Sequence, residues 1–90
     1  MKAVHALVEG RVQGVTYRQA TRTAARSLQL VGWVRNLPDG RVEVFSQGDD
    51  TSVDRLVDWL WMGPPGAVVT RVESETVPLD EYLHDFFIRQ

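Results

Sequence analysis

The stretch Gly10-Arg11-Val12-Gln13-Gly14-Val15-Thr16-Tyr17-Arg18 lies where a strand-like pattern gives way to a helical one. Its two glycines let backbone N–H groups converge. The start of the helix adds unpaired amides and the positive end of the helix dipole. Arg18 adds a charged, planar fork. Together these groups have the chemistry of an oxyanion site, a phosphate above all. Asn36 stands at the end of a strand and just before Leu37-Pro38-Asp39-Gly40. Taken singly, each has a plainer reading. An arginine at a helix start is usually solvated and poorly placed against the dipole, and an asparagine before a turn satisfies its own backbone.

The elements that must position these residues follow from periodicity. Val4, Ala6 and Val8 alternate with His5, Leu7 and Glu9 as in a half-buried strand. Tyr17, Ala20, Thr21, Ala24, Ala25 and Leu28 recur at helical spacing, with Arg22 and Arg26 on a solvated face. Val31 to Asn36 and Arg41 to Gln47 read as two strands of a hairpin around the Pro-Asp-Gly turn. Thr51 with Asp54 matches a capping box. Val53, Leu56, Val57 and Leu60 mark a second helix, which Gly63-Pro64-Pro65-Gly66 ends. Val68 to Val77 is a further strand and His84 to Arg89 a short last one, with Phe86 and Ile88 inward. Of Trp59 and Trp61, one must sit partly exposed.

The main order is βαββαβ, two split βαβ units whose right-handed crossovers put both helices on one face. This predicts a ferredoxin-like α+β (α/β) sandwich with a four-stranded antiparallel sheet. With 90 residues, the chain is expected to be one domain, residues 1–90. It has no cysteine, so it has no disulfide, thiol nucleophile or thiolate metal site. His5 and His84 lie far apart, with no third ligand at metal spacing. A net charge of −2 speaks against general nucleic-acid binding. No apolar run reaches membrane-spanning length, and the N-terminus lacks a secretory core. The expectation is a cytosolic monomer.

The stretches Gly10 to Arg18 and Gly32 to Val44 closely resemble the two signatures of the acylphosphatase family. Gln47-Gly48, Gly63-Pro64-Pro65-Gly66-Ala67 and Phe86-Phe87-Ile88-Arg89 extend the resemblance along the chain. It implies hydrolysis of acyl phosphates to a carboxylate and inorganic phosphate. It also implies roles. Arg18 would bind the phosphate oxygens, and Asn36 would position the attacking water. The loop amides of Arg11, Val12, Gln13, Gly14, Val15, Thr16 and Tyr17 would cradle the phosphate. No metal or organic cofactor is implied. Two positions depart from the family pattern. Thr16-Tyr17 stands where a small residue and phenylalanine are frequent, and Gln90 stands where an aromatic is common.

Two other readings compete. An RNA-recognition module shares the element order but needs stacking aromatics on both central strands. Here the first strand has none and the third offers only Phe45. A binding domain that holds phosphates or acyl phosphates without turnover is the stronger alternative. Similar signatures occur within larger carbamoyl phosphate-handling proteins. The absence of zinc fingers or a partner domain in this chain favours a free enzyme. The presence of both Arg18 and Asn36 favours catalysis, because binding alone gives Asn36 no purpose.

Overall fold

The computed structural model describes residues 1–90. The elements run β1 (Lys2–Arg11), α1 (Tyr17–Ser27), β2 (Val31–Asn36), β3 (Val42–Gly48), α2 (Asp50–Met62), β4 (Val68–Val77) and β5 (Phe86–Ile88). The ferredoxin-like α+β class matches the expectation. The sheet differs in one respect: it has five strands, in the order β4-β1-β3-β2-β5, and it is mixed rather than four-stranded and antiparallel. The fifth strand pairs parallel with β2, Val34 opposite Ile88. Gly32 N–H donates to Asp85 O, and Arg89 N–H donates to Val34 O. The outer edge of β2 is thereby paired, and Phe86 is fully buried against the core.

Alternation along the strands decides what faces the helices. Val4, Ala6 and Val8 of β1, Val34 of β2, and Val42 and Val44 of β3 form one apolar layer. Tyr17 and Ala25 of α1 and Val53, Leu56 and Leu60 of α2 pack on it. Tyr17, Thr21 and Ala25 are spaced four apart, so they share one helix face. Thr21 buries its hydroxyl by donating to Tyr17 O at 2.8 Å. Asn36 has the same parity as Val34 and so belongs to the helix side, at the very end of β2.

Some local details differ from the sequence reading. The side chain capping α2 is that of Asp49, which accepts from Ser52 N–H at 3.4 Å. The helix starts earlier than the Thr51–Asp54 box implied, so Thr51 lies inside its first turn. Arg26 is not merely solvated. It donates to Phe86 O and pairs with Asp85, joining α1 to β5. Trp61 is the half-exposed tryptophan, while Trp59 packs against Tyr17 with ring centroids 5.8 Å apart.

The face of the sheet opposite the helices carries its own contacts. Trp33 stacks on Phe45, and the Arg89 guanidinium lies 4.5 Å from the Trp33 centroid. Beside them, Glu43 accepts from His5 Nε2 at 2.7 Å and from Arg35 Nε. Burial opposes the charge on Glu43, but these two partners outweigh it and hold the carboxyl below its ordinary range. A carboxylate held low binds fewer protons folded than unfolded. Its stabilising contribution is therefore complete above the ordinary glutamate range, near pH 4.3, and is lost as the pH falls through the lowered value. Urea unfolding of the parent and Glu43→Gln across pH 6 to 3 is expected to show a parent advantage at pH 6 that shrinks in acid. A gap that stays constant across that range would contradict the role of this carboxylate.

Candidate active site

The site begins where β1 loses its partners. The register of β1 against β4 shifts between Glu9 and Gly10, and the strand ends at Arg11. Residues 12–16 then turn the chain into α1. Gly14 takes φ +76°, which suits glycine, and Thr16 takes φ +61°, which a β-branched residue rarely adopts. The amides of residues 13–16 donate to no other backbone group, and the first bond into α1 runs from Ala20 N–H to Thr16 O at 3.0 Å. Thr16 does not cap the helix with its side chain. Its hydroxyl donates to Val15 O instead. No acidic residue occupies the first turn of α1. This helix start thus keeps both its unpaired donors and its positive dipole end.

Arg18 adds a full positive charge there. Arg26, Arg35, Arg41 and Arg71 are each tied to carboxylates, but Arg18 pairs with none. It is half-buried and lines a pocket of about 430 Å³ together with Val12, Gly14, Thr16, Tyr17 and Asn36. The Asn36 Oδ1 atom is buried and has no hydrogen-bond partner. Leaving a buried acceptor unpaired costs roughly 1–3 kcal/mol, so an orphan of this kind calls for an explanation. The pocket therefore combines unpaired amides, an unpaired guanidinium and an unpaired acceptor, which can hold an anion and orient a donor such as water.

Not every residue of the motif points into this pocket. Arg11 is exposed at the end of β1, opposite Val68. Val12 is 1 % exposed and belongs to the core as well as to the pocket wall. Val15 packs against the core. The Gln13 side chain turns away to the β2–β3 hairpin, where Nε2 donates to Leu37 O and Arg41 O, each at 2.9 Å. Three lining residues were not foreseen: Gln19, Ile88 and Gln90. Gln19 follows Arg18 in the first helical turn. Ile88 and Gln90 arrive because β5 runs parallel to β2, so its C-terminal end lies beside Asn36. The alternation of the last strand marked Ile88 as inward, but nothing in it named β2 as the partner.

Tyr17 anchors the loop from below. Its ring is 1 % exposed, and its hydroxyl donates to Leu60 O at 2.6 Å. That carbonyl would normally accept from the amide four residues on, but residue 64 is proline and has none. Burial raises the tyrosine well above its ordinary value, which keeps it a donor. Gly63, at φ +66°, leaves room for the ring: a Cβ there would come within 2.7 Å of Tyr17 Cε2.

The acylphosphatase family profile matches residues 4–88. The chain belongs to the acylphosphatase family. It is 58% identical over 88 residues to an acylphosphatase of Methylococcus capsulatus, covering 98% of this chain and 96% of that protein. Among solved structures, the Bacillus subtilis acylphosphatase superposes with a TM-score of 0.96 at 33% identity, covering all of both chains. The Coxiella burnetii acylphosphatase gives 0.94 at 43% identity, covering 98% of this chain and 92% of that one.

Two stability measurements test this account of the loop. Relieving the left-handed strain at Thr16 outweighs the added freedom of a glycine in the unfolded chain, so Thr16→Gly should raise stability by about 0.5–1 kcal/mol in urea unfolding. Tyr17→Phe strips the buried Leu60 carbonyl of its donor and should lower stability by about 1–3 kcal/mol. A neutral Tyr17→Phe would mean that the carbonyl does not depend on this hydroxyl.

Proposed function

We propose that this acylphosphatase-family hydrolase cleaves the carboxyl–phosphate bond of small acyl phosphates through Arg18, the amides of loop 11–17 and Asn36. One observation carries the reading. Arg18 and the buried Asn36 Oδ1, neither satisfied by the protein, line one pocket with the phosphate-type loop. The Arg18 fork and the loop amides bind the three phosphoryl oxygens. Asn36 Oδ1 accepts a hydrogen from water and so turns a lone pair of that water towards phosphorus.

So few groups suffice because of the substrate. The leaving group is a carboxylate whose conjugate acid has a pKa of about 4, so it departs without a general acid. Phosphoryl transfer passes through a loose transition state in which the nucleophile is barely bonded. Water then needs orientation more than deprotonation. The remaining demand is to hold negative charge on the phosphoryl oxygens, which pre-placed donors do without reorganising. The reading includes one working domain over residues 1–90, acting as a cytosolic monomer without cofactor, nucleic acid or membrane partner. Every group it uses comes from a single chain.

Benzoyl phosphate hydrolysis in excess EDTA tests this directly. The parent is expected to turn over, and Arg18→Ala and Asn36→Ala each to lose about 10²–10³ in rate. Arg18→Lys is also expected to be damaged, since a point charge does not reproduce the fork. Inorganic phosphate should raise the parent's unfolding temperature, and Arg18→Ala should lose that shift. A folded parent that binds phosphate without turnover would leave a phosphate-binding module instead.

A further inference from the structure

We infer that Gln13 is a positioning residue that sets Asn36 against the phosphate loop. This rests on the catalytic reading above and concerns the side chain of Gln13, not its amide. The Gln13 Nε2 group gives its two hydrogens to two carbonyls, Leu37 O and Arg41 O, at 2.9 Å each. Those carbonyls bracket the hairpin turn, and Leu37 directly follows Asn36.

The turn does not need Gln13 in order to close. Leu37 N–H donates to Arg41 O at 2.8 Å, and Gly40 N–H donates to Leu37 O at 3.1 Å. Each carbonyl therefore keeps a partner if Gln13 is lost. What the side chain adds is a direct tie between two separate parts of the site. By backbone pairing alone, loop and Asn36 are joined indirectly. β1 and β2 are not neighbours, and the path runs from β1 through Val8–Val42 to β3 and then to β2. The Gln13 tie bypasses that path. It sits one residue from Gly14 on one side and one residue from Asn36 on the other.

The chemistry is specific to glutamine. Its amide offers two N–H donors on one nitrogen at the end of a two-carbon stem. A glutamate at this position would aim lone pairs at two carbonyls. Asparagine falls a methylene short, and methionine fills similar space with no donor. Errors of about 1 Å in the placement of reacting groups cost on the order of 10²-fold in rate. Phosphate binding, which uses Arg18 and the loop amides, does not pass through the hairpin.

The test is a double-mutant cycle between Gln13→Met and Asn36→Ala, read by benzoyl phosphate turnover and by competitive inhibition with inorganic phosphate. Gln13→Met is expected to lower kcat by about ten- to a hundredfold, with the phosphate inhibition constant changed less than about threefold. In the Asn36→Ala background the same substitution should cost less than about threefold, because the residue it positions is gone. Gln13→Asn, which retains an amide, is expected to follow Gln13→Met and guards against a folding defect peculiar to methionine. The inference is overturned if Gln13→Met turns over like the parent. It is equally overturned if its loss is the same in both backgrounds, or if phosphate inhibition weakens as much as kcat. Failure of the catalytic reading looks different: a parent without turnover, or an Asn36→Ala variant as fast as the parent.

Discussion

Gathering unpaired donors and positive charge at one helix start is a constraint that the rest of this fold accommodates. The N-terminus of α1 has no side-chain cap and no acid in its first turn, and it carries Arg18. Each of these choices opposes helix stability: a missing cap by about 1 kcal/mol, and an arginine at the positive dipole end by roughly 0.3–1 kcal/mol. An anion at that position reverses the sign of each. In the proposed mechanism, the free energy withheld from folding becomes available to bind and stabilise phosphoryl charge.

A helix start of this kind survives only if something else fixes it, and α1 is held by its buried face. Tyr17, the first helical residue, is among the most buried side chains and reaches across to the carbonyl that Pro64 leaves unbonded. Thr21 and Ala25 continue the same stripe, and Arg26 ties the far end to β5. The order of the helix thus comes from packing rather than from its cap. This places Arg18, one residue after Tyr17, at a defined point, with little help from the loop that precedes it.

Much of this was legible in the sequence, and the part that was not has a common cause. Alternation and helical spacing depend only on which face a side chain takes, so Val4, Val8, Tyr17, Val53 and Leu60 could be placed in the core from pattern alone. Arg18 was legible for another reason: strand, glycine loop, helix start and arginine form a contiguous string. Asn36, one residue ahead of the Pro-Asp-Gly turn, reads locally as a turn residue and stood out only through the resemblance of Gly32 to Val44 to the second acylphosphatase signature. The features that escaped are pairings between distant segments. The parallel partnership of β5 with β2 brings Ile88 and Gln90 into the pocket. The Gln13 side chain reaches the hairpin, and Arg26 reaches Phe86. Nothing local distinguishes these polar side chains from solvated ones; only the assembled fold does. The α2 cap failed differently. Asp49, Asp50 and Thr51 can all cap, and the boundary is fixed by which of them leaves helical geometry.

The distribution of satisfied and unsatisfied groups argues for where function lies. Outside the pocket, buried polar groups find partners. Tyr17 bonds Leu60, Thr21 bonds Tyr17, and Gln47 exchanges two hydrogen bonds with the Asp80 backbone at 2.8 Å each. Glu43 is shared between a histidine and an arginine. The one buried side-chain acceptor without a partner is Asn36 Oδ1. Two non-glycine residues have left-handed backbone. Gln29 closes the C-terminus of α1, as helix ends commonly do. Thr16, with the uncapped helix start and the unpaired Arg18, lies around the same pocket. Random imperfection would scatter such defects through the fold. Their collection at one end of the sheet, beside a core that is otherwise satisfied, is the pattern of local sacrifice expected where a fold gives up stability for chemistry.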